Sequence, residues 1–109
     1  MRRDLPSQFE PTFVSGNATL RSHDVLMGGL YIIDTSGITL TLPAPAEAIR
    51  GAEGLVVNNS NGNATLACAG GFANGGSTLT LAAGAGVWLY CAQVSGAVYR
   101  WASVGATAS

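Results

Sequence analysis

The stretch YIIDTSGITLTLPAPAEAIRG, residues 31 to 51, decides how this chain is read. In Ile38-Thr39-Leu40-Thr41-Leu42 every second residue is apolar and the residues between are threonine. Successive side chains of a strand point to opposite faces, so the alternation predicts a strand with one face in a core and the other toward water. β-Branched side chains fit such a half-buried surface well. Upstream, Asp34-Thr35-Ser36-Gly37 has the chemistry of a turn. A short acid can bond the backbone just beyond it, and glycine accepts a positive φ. Downstream, Pro43 and Pro45 end the strand. The piece AEAIRGAEG that follows, residues 46 to 54, has helix-favouring residues bracketed by Pro and Gly, which predicts one helical turn or a structured loop.

Outward from that stretch the same signal recurs. Short runs favourable to strands cover Ala18 to Arg21, Leu30 to Asp34, Ile38 to Leu42, Leu55 to Asn58, Ala64 to Ala69, Ser77 to Leu81, Val87 to Ala92 and Val98 to Val104. Between them fall Ser36-Gly37, Asn61-Gly62, Gly70-Gly71, Asn74-Gly75-Gly76 and Ser95-Gly96, residue pairs that supply tight turns. About eight short strands with this punctuation imply an all-β fold, either jelly-roll-like or a β-sandwich. Residues 1 to 16 contain Pro6, Pro11, Phe9 and Phe13 without either period and read as an extended N-terminal arm. Residues 17 to 109 then form a single domain.

Charge narrows the function classes. Five Arg, no Lys and six acids leave a net charge of -1, without the basic excess of a protein that neutralises phosphates, so nucleic acid is not an expected partner. Charged residues make up 10% of the chain, against about 25% in an ordinary soluble domain. From Gly54 onward the only charged side chain is Arg100. A surface this neutral suits a subunit that buries much of itself against copies of itself or a larger assembly. The N-terminus MRRDLPSQFEPTF lacks the apolar run of a secretory signal and no apolar stretch reaches 18 residues, so the expectation is synthesis in the cytosol without a membrane partner. The sequons at Asn17 and Asn63 carry no weight without a secretory route. Cys68 and Cys91 are able in principle to bridge, but each lies in an apolar strand-like run, where small buried thiols are common.

Sites for chemistry are sparse. One His, two distant Cys and scattered acids do not make a metal cluster, and no cofactor is expected. His23 lies in a polar turn with no nameable partner, and the glycine pairs are followed by neither Lys nor a helix, as a phosphate loop requires. Asp34-Thr35-Ser36-Gly37 resembles the catalytic turn of retroviral-type aspartic proteases, in which two subunits each give one Asp to a shared proton. Two departures weigh against that alternative. The family has Gly at the third position of the turn, where this chain has Ser36, and the family's C-terminal apolar-apolar-Gly-Arg/Asn segment has no match after Gly76. The competing reading is that Asp34 ends a strand and caps a turn through Thr35, Ser36 and Gly37.

A wider resemblance spans residues 28 to 104. The succession Gly29-Leu30-Tyr31-Ile32-Ile33-Asp34-Thr35-Ser36, then Ile38-Thr39-Leu40-Thr41-Leu42-Pro43-Ala44, then Gly54-Leu55-Val56-Val57-Asn58-Asn59, closed by Val87-Trp88-Leu89-Tyr90 and Tyr99-Arg100-Trp101, resembles small β-domains of tailed-bacteriophage virions. These include capsid decoration, or cement, proteins. The resemblance implies a non-enzymatic structural protein on the exterior of the virion capsid, made in the host cytoplasm. Its implied partners are the major capsid protein and itself, as a homotrimer at three-fold or quasi-three-fold junctions, where it stabilises the shell. The arm is the expected capsid contact, with Arg2, Arg3, Phe9 and Phe13 as anchors. Trp88, Tyr90, Tyr99 and Trp101 are expected in the core or between subunits, with the core favoured because aromatics on a hairpin usually pack inward. The alternative from the same architecture is a tail fibre or spike receptor-binding module, using the loop Asn58-Asn59-Ser60-Asn61 for sugar.

Overall fold

The computed structural model describes residues 11–21 and 27–108, and over them the chain is built from strands and turns. The strands are β1 (Thr12–Val14), β2 (Ala18–Thr19), β3 (Met27–Ile33), β4 (Thr39–Thr41), β5 (Glu53–Asn58), β6 (Ala64–Ala67), β7 (Thr78–Leu81), β8 (Gly86–Ser95) and β9 (Val98–Val104). They form a five-stranded sheet in the order β1-β3-β5-β8-β9 and a four-stranded sheet in the order β2-β4-β6-β7. The result is the all-β sandwich expected from the alternation. The helix-favouring piece after Pro45 is a single 3-10 turn, Glu47–Ile49, with no side-chain cap on its first residue.

Connectivity follows from a simple alternation. From β1 to β6 the chain crosses to the other sheet at every step, so neighbours in each sheet run parallel: β1 with β3 and β3 with β5, β2 with β4 and β4 with β6. Parallel neighbours cannot be joined by a tight hairpin, and here the strand of the opposite sheet supplies the crossover. At β6 the winding stops. β7 turns back antiparallel on β6, and the first sheet is completed by β8, antiparallel to β5, and by β9, antiparallel to β8. β1 lies within the segment read as an arm. Its three residues pair with Tyr31, Ile32 and Ile33, and Val14 is buried, so this end of the arm belongs to the sheet.

The register aligns like residues across the strands. Tyr31, Val56 and Val87 stand side by side on the inner face of the larger sheet, and Ala18, Leu40, Leu66 and Leu79 on that of the smaller one. Fully burying an aliphatic or aromatic side chain of this size contributes about 1.5–3 kcal/mol, so these rows outweigh any single turn in holding the layers together. Trp101, fully buried on β9, spans the end of the core. Its indole N–H donates to the carbonyl of Pro43 at 2.9 Å, tying the Leu42-Pro43 corner to the last strand. The backbone N–H of Trp101 donates to the carbonyl of Gly71, and Ala73 donates back to Trp101, which occupies part of the free edge of β9. Position 71 has no room for a side chain, because a Cβ there would lie 2.3 Å from the sulfur of Cys68.

One inward position on β5 is polar. Asn58 is fully buried, in register with Ile33 of β3. Its amide donates to the carbonyls of Gly62 and Leu81, and its side-chain oxygen accepts from the backbone N–H and the hydroxyl of Ser60. Its own backbone N–H donates to Ala85 and its carbonyl accepts from Gly84. One residue therefore fixes the β5–β6 turn and the β7–β8 connection together. Replacing it by Ala leaves the carbonyl of Leu81 without that partner in a site water does not reach, so Asn58→Ala is expected to cost about 2–3 kcal/mol in chemical denaturation. Asn58→Asp, which loses both amide donors and adds a buried charge, is expected to cost more.

Candidate functional site

The two outer faces of the sandwich have opposite chemistry. On the four-stranded sheet the register sets Thr39, Thr65 and Thr80 side by side, and in the next row Thr19, Thr41, Ala67 and Thr78. These two rows present hydroxyls and methyls to water and contain no charged residue. The outer face of the five-stranded sheet is apolar instead. One row runs Phe13, Ile32, Val57, Gly86; the next runs Leu30, Leu55, Trp88, Val104; a third runs Glu53, Tyr90, Ala102. Phe13 is 61% exposed, Trp88 40%, Tyr90 41% and Val104 71%, and Val94 and Val98 extend the same face along the β8–β9 hairpin. Scattered exposed apolar residues are ordinary, but a continuous sheet face of them marks an interaction surface.

The four aromatics of the terminal hairpin divide by strand. On β8, Trp88 and Tyr90 have the outward parity; on β9, Tyr99 and Trp101 have the inward one, Trp101 standing opposite Cys91. The expectation of inward packing thus describes Tyr99 and Trp101 and not Trp88 and Tyr90, because a strand has two sides and two aromatics of the same parity share a face without the spacing saying which face is inner. Phe13, one of the arm's candidate anchors, lies on the same outer face as Trp88. Arg2, Arg3 and Phe9 lie outside the described residues, as does His23. Leu30, Ile32, Leu55 and Val57 were not singled out by alternation. Their signal was the absence of it: Leu30-Tyr31-Ile32-Ile33 and Leu55-Val56-Val57 are unbroken apolar runs, the pattern of strands with apolar surroundings on both faces.

Other candidates resolve differently. Asp34 follows β3, and its carboxylate accepts hydrogen bonds from the hydroxyls of Ser15 at 3.0 Å and Thr35 at 3.1 Å. Its backbone N–H donates to Val14, and Gly37, with φ at +77°, completes the turn. In the loop Asn58-Asn59-Ser60-Asn61, the alternative sugar site, Asn58 has its side chain committed to the interior. An open cleft of about 490 Å³ lies between the 3-10 turn and the tip of the β8–β9 hairpin, lined by Glu47, Arg50, Gln93 and Tyr99, with the Gln93 amide bonded to the carbonyl of Gly96. No three His, Cys, Asp or Glu residues come together among the described residues.

Both cysteines are free and buried, Cys68 with its sulfur 3.6 Å from the carbonyl of Pro43 and Cys91 with its sulfur 3.9 Å from that of Ala46. Burial pushes both thiols above their ordinary range; Cys91 adds to the shift at Cys68, while a backbone hydrogen bond at Ala46 opposes it at Cys91. No family model, curated protein or solved structure matches the chain.

The thiol shifts give a signed expectation. A thiol held protonated by burial contributes stability that is complete below its unfolded pKa and is lost as pH rises through the higher native value. Denaturation midpoints are therefore expected to fall above about pH 8.5, and Cys68→Ala with Cys91→Ala to flatten that alkaline limb relative to the native chain.

Proposed function

We propose that the chain is a structural virion protein that binds the outer surface of a phage capsid, in three copies at three-fold or quasi-three-fold junctions, and stabilises the shell. The observation that carries this reading is the apolar outer face of the five-stranded sheet, set on a chain of net charge -1 in which only 10% of residues are charged. A domain of this kind is built to be covered. Its opposite, threonine-rich face is suited to remain in water, which gives the subunit an inside and an outside relative to an assembly.

The resemblance to virion β-domains supplies the kind of assembly. Attachment is assigned to the N-terminal arm and to Phe13, where the arm joins the sheet and its ring is left exposed. Each contact is small, and simultaneous engagement of several copies on one shell multiplies weak contacts into stable attachment.

The test is cosedimentation of purified protein with expanded capsids that lack it. Saturable binding is expected, with Phe13→Ser weakening it by about tenfold, as loss of an aromatic anchor does. Because Val14 is core and β1 pairs with β3, a deletion that spares the fold ends at Glu10, and removal of residues 2 to 10 is expected to reduce attachment while leaving the denaturation midpoint unchanged. Absence of binding to both immature and expanded shells would sink the reading.

A further inference from the structure

We infer that the apolar outer face of the five-stranded sheet is the seam between copies of this chain, with β5, β8 and β9 of one copy packed on the same face of the next. This rests on the structural-protein reading and names the partner of its main surface. Three observations point to a copy of the chain as the occupant.

The first is area. The three strands of the seam, about 4.8 Å apart and roughly eight residues long at about 3.3 Å per residue, make a flat footprint on the order of 350 Å² before side-chain relief is counted. Stable specific pairs bury about 800 Å² on each partner, so the flat seam supplies somewhat under half of that, and the exposed side chains of Trp88, Tyr90 and Val104 add to it.

The second is charge. Among the described residues the face carries one acid and one base: Glu53 on β5 and Arg100 on β9, both on the outward parity, separated by β8 and by one row of the register. A copy meeting a copy brings no net charge to the seam. When β5 of one lies over β9 of the next, Glu53 comes over the small Ala102 and beside Arg100 of its neighbour, while Leu55 comes over Val104. Apolar rows then meet apolar rows and the two charges meet their opposites.

The third is the placement of the aromatics. Trp88 and Tyr90 project from β8, the strand between the two charged ones, so the central line of the seam is aromatic and the charges flank it. A central aromatic cluster with charges toward the rim is the anatomy of an energetically effective interface.

Sedimentation velocity on the full chain, from about 1 to about 200 µM, reads the association directly. The native chain is expected to form a defined oligomer. Trp88→Ser with Tyr90→Ser is expected to weaken it by at least about tenfold with an unchanged circular dichroism spectrum, since both side chains point out of the fold. Glu53→Arg is expected to weaken association, and Glu53→Arg combined with Arg100→Glu to restore it, a rescue that does not depend on the serine variants folding. A native chain that stays monomeric across the range, association indifferent to the serine variants, or a charge reversal without rescue each overturns the inference. Capsid cosedimentation separates the two readings: a monomeric chain that still binds shells removes the seam and leaves the shell function standing, and an oligomer that binds no shell does the reverse.

Discussion

Asn58 places a polar side chain, with no exposure at all, at the end of an apolar interior, and four hydrogen bonds through its amide make that placement tolerable. Its position matters more than its polarity. It stands where β5 leaves the larger sheet, and its partners are the turn into β6 and the end of β7, while its backbone holds the loop that leads into β8. The winding half of the fold, β1 to β6, and the folded-back half, β7 to β9, meet at this residue. An unpaired amide there would cost more than a typical hydrogen bond gains, so the network is specific in a way that the surrounding leucines are not. Leucine rows set how much surface is buried; Asn58 sets which turn follows which strand.

With the layers fixed in this way, the two outer faces are determined by parity alone. The same strand period that points Leu40, Leu66 and Leu79 inward sends Thr39, Thr65 and Thr80 outward, and the smaller sheet becomes a neutral, hydrated wall. In the larger sheet the outward positions are Ile32, Leu55, Val57 and Trp88, and none of the described residues covers them fully. The asymmetry between the faces is the physical root of the functional reading.

Much of this was legible in the residues. TLTL-type alternation at β4 and β7 gave half-buried strands in place, and the Gly and Asn pairs gave the turns between them. The parallel winding was not legible, because alternation identifies a strand's buried face and not its neighbours. β1 was hidden by its brevity: three residues beside Pro11 have too little pattern to distinguish a strand from an arm. Trp88 and Tyr90 were harder still. Period two places them on one face and Tyr99 and Trp101 on one face, but which face is inner depends on the pairing of β8 with β5 and β9, a long-range fact. Charge scarcity pointed to a weakly charged surface, but not to which face of the sandwich would be apolar.

The central claim is that Trp88 lies on a surface that assembly covers. The chain has two tryptophans, and Trp101 is already buried, so the difference in emission between the native chain and Trp88→Phe isolates the one that matters. The account expects that difference spectrum to be solvent-like in dilute protein, and to shift to the blue and lose acrylamide quenching as concentration rises or capsids are added. A Trp88 signal that remains solvent-like and fully quenchable in the assembled state would contradict it.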